Sequence, residues 1–365
     1  MPNFRLAFTA MLMALVIAPA AAQDYVREEL RVPMDGTGGK GLETLLIRPA
    51  EAGRYPLVII SHGSPRKPKD RPDMTPARFY PQALEFARRG FAVTLVMRRG
   101  FGTSGGNFAE DYGSCGDPNY TRSARAGAAD LEAAIAVLGQ RPDIDASRVI
   151  AVGRSAGGFA SVALAADPPP GLVAVINFAG GRGSPADDEV CHRDRLIDTF
   201  GALGKTSRLP SLWVYAANDH YFAPDLARKF HGAFTASGGK AEFIAAPAFG
   251  KDGHQLFSAK GIALWAPYVD KFLADNHLTQ RAELLPLPPL PALTAPSQLS
   301  ARGREAFEEY RRAPAHKAFA VASDGHFGWR TARRSTQDAR GEALKLCEAG
   351  ARSCRVVFID DVPAP

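Results

Sequence analysis

Short apolar segments alternate with amphipathic segments along residues 42–275. The apolar runs at residues 57–60 and 172–178 are continuous rather than alternating, which is typical of strands buried on both faces. Residues 123–138 instead carry apolar side chains at helical spacing. Because strands that alternate with helices form a mostly parallel sheet covered on both sides, the pattern predicts a three-layer α/β fold.

The predicted elements of this fold follow one another in a regular order. Strands are predicted over residues 57–60, 91–97, 149–152, 172–178, 212–216 and 242–245. Helices are predicted over residues 79–89, 123–138, 159–166, 193–203, 224–234 and 261–275.

A proline-rich stretch separates these elements from the C-terminal end of the chain. Its prolines, which favour extended backbone and cannot form a core element, are Pro286, Pro288, Pro289, Pro291 and Pro296. After it the pattern predicts a helix over residues 303–311, a strand over 318–322, a helix over 335–346 and a strand over 355–359. The chain therefore ends in a small α+β module.

The first residues of the chain have the pattern of a secretory signal peptide. Arg5 precedes an apolar run at residues 6–17, and Ala20, Ala21 and Ala22 offer a small-residue cleavage site. The run is shorter than the roughly 20 residues that span a bilayer, so we expect cleavage and no stable membrane insertion afterwards. An uncleaved membrane anchor is the alternative. The sequence thus predicts a signal peptide (1–22), a main α/β domain (23–280), a linker (281–299) and a C-terminal module (300–365), exported to the periplasm or secreted.

Export changes how the four cysteines are interpreted. An even number of cysteines in an oxidising compartment predicts disulfides. Cys347 and Cys354 lie close together in the C-terminal module, so we favour that pair, which leaves Cys115 with Cys191. Free or buried thiols are the alternative.

Composition excludes several classes of protein. The chain has 365 residues, of which 46% are hydrophobic and 22% charged, so it can bury a large core and is not disordered, collagen-like or a coiled coil. A net charge of +6 is mild for this length and predicts no nucleic-acid partner. No cysteine and histidine spacing resembles a zinc site, and no metal or organic cofactor is implied. The oligomeric state stays open.

The pattern Gly-x-Ser-x-Gly occurs twice, at Ser104 and at Ser155. A nucleophile elbow needs a strand directly before the serine and a helix directly after it. Ser155 has both, whereas Ser104 lies in a polar, glycine-containing stretch. We therefore predict Ser155 as a nucleophile, with an N-cap serine on a glycine-rich turn as the alternative.

A serine hydroxyl needs a base, which in this topology is a histidine oriented by an acid that precedes it in the chain. His254 lies in a Gly-rich loop between the last predicted strand and helix, so we predict it as the base. Asp219 follows the strand at 212–216 and is the predicted acid. Asp225 is the rival, but it lies at a helix start, and Asp252 is too near His254 in sequence.

An oxyanion hole requires two backbone N–H groups, each worth about 3 kcal/mol. Ala156, next to the nucleophile, should supply one. The other should come from the end of the first buried strand, where we choose Ser64, with Gly63 second and His62 as a structural residue. The basic loop at residues 66–71 is interpreted as a solvated surface segment rather than an anion site.

Together these residues resemble the α/β-hydrolase superfamily, and more narrowly its dienelactone-hydrolase-like and prolyl-oligopeptidase-like branches. The resemblance covers about residues 40–277. It rests on the motifs Ser61-His62-Gly63-Ser64, Arg99-Gly100-Phe101-Gly102-Thr103-Ser104-Gly105-Gly106, Gly153-Arg154-Ser155-Ala156-Gly157-Gly158, Asp219 and Gly253-His254. It implies that the main domain is a hydrolase catalytic domain and that Ser104 belongs to a structural loop beside the site.

The function that these expectations favour is exported carboxylic ester hydrolysis through an acyl-enzyme on Ser155. The substrate would be a small-molecule ester or a peptide, because serine peptidases and amidases use the same triad. A non-catalytic binding protein on a hydrolase scaffold is the alternative of another class. With small lids at residues 101–120 and 179–192, we expect an open pocket for small or medium acyl groups.

Overall fold

An eight-stranded sheet forms the centre of the main domain in the computed structural model, which describes residues 24–365. The predicted signal peptide lies outside these residues. The strands of the main domain are Tyr25–Val32 (β1), Leu42–Pro49 (β2), Tyr55–Ser61 (β3), Ala92–Val96 (β4), Gly113–Ser114 (β5), Asp117–Pro118 (β6), Ile144–Arg154 (β7), Leu172–Phe178 (β8), Ser211–Ala216 (β9) and Ala241–Ala246 (β10). The sheet order is β1-β2-β4-β3-β7-β8-β9-β10, and β5 and β6 form a separate two-stranded ribbon.

Six helices cover the two faces of this sheet. They are Tyr80–Arg88 (α1), Tyr120–Leu138 (α2), Ala156–Ala166 (α3), Arg193–Gly204 (α4), Pro224–Ala236 (α5) and Ile262–Asp275 (α6). Helices α2 to α5 pack on one face in a core that includes Trp213, and α1 and α6 pack on the other in a core that includes Trp265. Strand β3 is buried along its whole length, as its continuous apolar sequence predicts. The predicted three-layer α/β fold is confirmed.

The β1 and β2 strands form the antiparallel edge of the sheet and were not predicted. β1 pairs antiparallel with β2 and β2 antiparallel with β4, while the other neighbouring strands are parallel. Strand β1 carries charged residues at four of its eight positions and is largely half-exposed, so it lacks the continuous apolar run used to find the buried strands.

The C-terminal part of the chain forms a small sheet of its own. Its helices are Ala301–Arg312 (α7) and Thr336–Glu348 (α8), and its strands are Ala318–Val321 (β11), Phe327–Arg330 (β12), Arg355–Ile359 (β13) and Val362–Pro363 (β14). The antiparallel sheet has the order β12-β11-β13-β14. The predicted α+β module is thus present, but β12 and β14 were missed. Phe327 and Trp329 on β12 pack partly buried against the module's core.

Two disulfides cross-link the chain, one between segments distant in sequence and one at the end of a helix. Cys115 in the β5–β6 ribbon is bonded to Cys191, just before α4, and Cys347 at the end of α8 is bonded to Cys354.

Residues 24–365 contain no helix long and apolar enough to cross a membrane. A cleft of about 1410 Å³ separates the main domain from the module and is lined by residues such as Tyr80, Pro288 and Trp329.

Candidate active site

Ser155 lies at the sharp turn between strand β7 and helix α3. Its backbone has φ 56° and ψ −127°, in the left-handed half of conformational space that non-glycine residues rarely adopt. The glycines on either side permit this turn: a Cβ on Gly153 would lie 2.2 Å from the Gly157 carbonyl oxygen, and one on Gly157 would lie 2.1 Å from the Ser61 carbonyl oxygen. Such strain at the mouth of a helix is the geometry of a nucleophile elbow.

Asp219 and His254 meet at the carboxyl end of the sheet. His254 Nδ1 is 3.1 Å from both carboxylate oxygens of Asp219, and both side chains are buried. The same carboxylate accepts hydrogen bonds from the backbone N–H groups of Tyr221, at 2.8 Å, and Phe222, at 2.9 Å. These donors hold the carboxylate in place, so it orients the imidazole with Nδ1–H toward the acid and leaves Nε2 free.

Both rival acids lie at the start of a helical segment. Asp252 caps the short turn that carries His254 by accepting the His254 N–H at 2.9 Å, and it also accepts the His220 N–H at 3.2 Å. Asp225 lies in the first turn of α5. Neither makes a side-chain hydrogen bond to the imidazole of His254 within residues 24–365.

The chain neighbours of Ser155 and His254 are joined by a hydrogen bond. The Arg154 guanidinium donates from Nη1 to the Gln255 side-chain oxygen at 3.0 Å, which ties the elbow to the histidine loop. The Ser155 hydroxyl makes no hydrogen bond to any of the described residues 24–365. Catalytic hydrogen bonds are often loose in sites without substrate and tighten when it binds.

Tyr221 completes the histidine site and was not found from the sequence. Its ring stacks on the imidazole of His254, and the Arg66 guanidinium covers its other face at 3.7 Å from the ring centroid. Arg66 also pairs with Asp187 at 2.6 Å. Burial raises the pKa of Tyr221, so its phenol stays neutral. We interpreted residues 66–71 as a solvated surface segment. The structure differs at Arg66, because its guanidinium is held over the Tyr221 ring.

The strand end at Gly63 and the helix start at Ala156 both lie beside Ser155. A Cβ on Gly63 would lie 3.1 Å from the Cβ of Ser155 and 3.7 Å from its Oγ, so the strand end at Gly63 passes directly beside Ser155. Ala156 is the first residue of helix α3, where backbone N–H groups lack helical partners. Within residues 24–365, the N–H groups of Ala156, Ser64 and Gly63 donate to no acceptor.

His62 lies beneath this loop as a neutral ring. Its Nδ1 donates to the Gly63 carbonyl at 2.7 Å, and its Nε2 accepts the Arg98 N–H at 3.1 Å. Burial, reinforced by the Arg98 charge, holds the pKa of His62 well below its usual value. Because both ring nitrogens are occupied by neutral-ring hydrogen bonds, His62 acts as a support for the Gly63 backbone.

A buried ion network supports the same loop from the other side. Arg98 donates from Nη1 to the Ser61 hydroxyl and the His62 carbonyl, both at 2.7 Å, and pairs with Glu110. Arg182, whose pKa is lowered by burial, pairs with Glu110 at 3.3 Å. Glu110 thus balances two guanidinium groups and links the segment after β4 to the segment after β8.

The other candidate serine and histidines make contacts elsewhere. The Ser104 hydroxyl donates to the Met97 carbonyl at 2.5 Å and accepts the Glu43 N–H at 2.8 Å, so it closes a loop. His220 is exposed and contacts Asp188 at 3.2 Å, which raises the pKa of His220. His231 lies 2.9 Å from the Ala241 carbonyl. Residues 24–365 hold no cluster of three or more histidine, cysteine or acidic side chains that could ligate a metal.

Comparison with known proteins agrees with this fold. Residues 35–208 match the model of the X-Pro dipeptidyl-peptidase (S15) family. An acylaminoacyl peptidase of Pyrococcus horikoshii is similar in structure, with 16% identity, a TM-score of 0.51, and coverage of 73% of this chain and 44% of that one. A Bacteroides ovatus protein assigned as a dipeptidyl aminopeptidase IV has 15% identity, a TM-score of 0.51, and coverage of 69% and 36%.

An esterase of Pyrococcus furiosus has 13% identity, a TM-score of 0.49, and coverage of 69% of this chain and 93% of that one. No curated protein matches the chain. The fold shared with these peptidases and the match to the family model lead to one conclusion: the chain has the α/β-hydrolase fold.

Proposed function

We propose that the protein is an exported serine hydrolase that cleaves carboxylic esters through an acyl-enzyme on Ser155. One observation carries the proposal. Ser155 occupies a strained elbow beside the Gly63 backbone, at the same sheet edge where a buried Asp219 carboxylate faces His254. A serine kept only as a helix cap needs neither the strain nor the buried acid and imidazole.

The proposed reaction proceeds in two halves. Ser155 Oγ attacks the ester carbonyl carbon while His254 Nε2 takes the hydroxyl proton, and Asp219 stabilises the resulting imidazolium through Nδ1–H. The N–H groups of Ala156 and Ser64 stabilise the oxyanion. The tetrahedral intermediate then collapses, and His254 returns the proton to the departing alcohol. A water molecule, deprotonated by His254, attacks the acyl-enzyme, and the carboxylic acid leaves with Ser155 restored.

A serine peptidase or amidase activity is the second candidate. It is favoured by the match of residues 35–208 to a family described as X-Pro dipeptidyl-peptidases. The two activities share every step except the leaving group, because an amine must be protonated more completely than an alcohol before it departs. Substrate turnover therefore has to separate them.

Export is part of the proposal. It is supported by the signal-peptide pattern at residues 1–22 and by two disulfides, which persist in oxidising compartments. The catalytic unit would span residues 23–280, with the module at 300–365 appended to it through the linker at 281–299. We expect cleavage after Ala22, which N-terminal sequencing of the exported protein would show.

Active-site labelling tests the proposed function. Mature protein is treated with a fluorophosphonate and digested, and the modified peptide is identified by mass spectrometry. We expect one adduct on Ser155, none in Ser155→Ala, and an unchanged adduct in Ser104→Ala. An adduct on Ser104, or none in folded protein, would refute the assignment, and the second result would favour a binding scaffold.

Substrate assays then separate the two reaction types. We expect p-nitrophenyl esters of short and medium acids to be cleaved faster than X-Pro and aminoacyl p-nitroanilides. The reverse order would favour the peptidase. A strong preference for long-chain esters would contradict the open pocket expected from the short segments at residues 101–120 and 179–192.

A further inference from the structure

Arg154 carries a positive charge that the protein itself does not balance. Its guanidinium lies over the Phe79 ring, 5.2 Å from the centroid, and its Nη1 donates to the neutral Gln255 amide at 3.0 Å. Its Nε is buried without a hydrogen-bond partner, and its Nη2 has no protein acceptor within residues 24–365. No carboxylate in this part of the chain forms an ion pair with it.

Four arginines near the site are compensated. Arg66 pairs with Asp187, Arg98 and Arg182 with Glu110, and Arg99 with Asp130. A poorly solvated cation without a counter-charge costs free energy, which an arriving anion recovers. Arg154 has no ion-pair partner within residues 24–365, and neither has Arg78, whose positive charge acts on it.

The surroundings of Arg154 add to the cost of this unpaired charge. Burial lowers the pKa of Arg154, and the nearby charge of Arg78 lowers it further. The charge of Asp252 raises the pKa of Arg154, but the Asp252 carboxylate forms no ion pair with it and already accepts the His220 and His254 N–H groups. No carboxylate within residues 24–365 is therefore close enough to form an ion pair with Arg154.

We propose that Arg154 binds a carboxylate of the substrate, and that the esters this site hydrolyses carry a free acid group. This inference rests on the proposed function. Arg154 is bonded in sequence to the nucleophile, and its partner Gln255 is bonded to the base, so a group held by Arg154 lies beside the reacting ester. The Gln255 side chain is exposed, and a carboxylate that displaces its amide oxygen would engage Nη1 and Nη2 together.

The test compares matched esters with and without the charge. One pair is mono-p-nitrophenyl adipate and the corresponding adipamate, which place the charge on the acyl side. The other is 4-(butanoyloxy)benzoate and its benzamide, which place it on the leaving group. The readout is the ratio of kcat/KM for the charged ester to that for the neutral one, in the wild-type protein, Arg154→Met and Arg154→Lys.

We expect the wild-type protein to prefer the charged ester in at least one pair. Arg154→Met should reduce that ratio about tenfold to a hundredfold, which is the value of a hydrogen bond to a charged group. Arg154→Lys should restore part of it, because a lysine keeps the charge without the planar fork. Arg148→Met is the matched control, since Arg148 lies near the start of the same strand and pairs with Asp145. It should leave the ratio unchanged.

Either of two results would overturn the proposal: a wild-type ratio near one in both pairs, or a preference that survives in Arg154→Met. A wild-type ratio near one overturns the proposal even if a variant does not fold, and Arg154→Lys supplies a second variant if Arg154→Met does not. Failure of the proposed function is distinguishable, because then neither the charged nor the neutral ester is cleaved and Ser155 takes no fluorophosphonate. Cleavage of the neutral esters without a charge preference contradicts the role of Arg154 alone.

Discussion

The phenol ring of Tyr221 lies parallel to the imidazole of His254, with the ring centroids 3.9 Å apart and the planes inclined by 13°. The backbone N–H of Tyr221 donates to Asp219, so one residue contacts both the proposed acid and the proposed base. The Arg66 guanidinium closes the stack on the far side of the phenol. Tyr221 therefore limits the tilt of the imidazole while Asp219 fixes its rotation.

Removing this ring should impair catalysis more than folding. Tyr221→Ala leaves His254 free to tilt, and a displacement of about 1 Å from the productive geometry can cost about a hundredfold in rate. We expect kcat/KM for p-nitrophenyl butyrate to fall about tenfold to a hundredfold, and fluorophosphonate labelling of Ser155 to slow in parallel. Tyr221→Phe is the matched control, because it keeps the ring, and the phenol oxygen makes no hydrogen bond within residues 24–365. Labelling of Tyr221→Ala at the wild-type rate would contradict a positioning role.

The proposed acid can be tested against its nearest rival. Asp219→Asn keeps the shape of the side chain but favours the wrong histidine tautomer, and in triad enzymes such a change costs about four orders of magnitude in kcat. We expect a loss of about 10³- to 10⁴-fold in ester hydrolysis. Asp225→Asn, at the start of α5, should retain activity. If the two variants lost activity equally, the assignment of Asp219 would be wrong.

The parts of the fold that could be predicted are those whose sequence has a single physical explanation. A fully buried strand such as β3 needs a continuous apolar run, and the elbow needs small residues where a Cβ would strike backbone at Gly153 and Gly157. The same reasoning fails for β1, which lies at the sheet edge with charged residues along it. It also fails for β12, where Gly328 and Arg330 interrupt the apolar pattern.

The residues missed at the site are those whose roles depend on partners distant in the chain. Nothing in the local sequence places Tyr221 on His254, because 33 residues of strand, helix and loop return the chain to that point. Arg66 and Tyr221 likewise meet across the site. The glycines and the strand–serine–helix order are local constraints, whereas stacking and charge balance are set by the tertiary fold.

Acid should destabilise the protein in part through His62. The pKa of His62 in the folded protein lies below its value of about 6.5 in the unfolded chain, so the unfolded chain binds more protons from this group. The free energy of unfolding is therefore greatest above about pH 6.5 and decreases as the pH falls below it. The slope should approach about 1.4 kcal/mol per pH unit from this group. His62→Gln, which can still accept the Arg98 N–H, should show a shallower decrease between about pH 6 and pH 5 in urea unfolding. Equal slopes for the two proteins would rule out His62 as a source of acid sensitivity.

The two disulfides should contribute unequally to stability. The Cys115–Cys191 bond closes a loop with a sequence separation of 76 residues, whereas Cys347–Cys354 closes one of 7. Since a cross-link acts largely by restricting the unfolded chain, the loop-entropy relation predicts about 4 kcal/mol for the first and about 2 kcal/mol for the second. Chemical denaturation of the paired Cys→Ser variants would measure the two losses.

The first disulfide should also matter for the site, because Cys191 ends the segment that begins beside Ser155 and carries Arg182. Within this segment, the Gly183 carbonyl accepts the Cys191 N–H at 2.9 Å. Breaking the bond between Cys191 and Cys115 should therefore loosen the segment, which contributes Arg182 to the ion network with Arg98 and Glu110. We expect the Cys115→Ser/Cys191→Ser variant to lose ester hydrolysis at temperatures where Cys347→Ser/Cys354→Ser is still active. Identical thermal inactivation of the two variants would show that the ion pairs alone hold the loop that carries Arg182. The buried Glu110 would then be sufficient to keep Arg98 in contact with Ser61 and His62 at the end of strand β3.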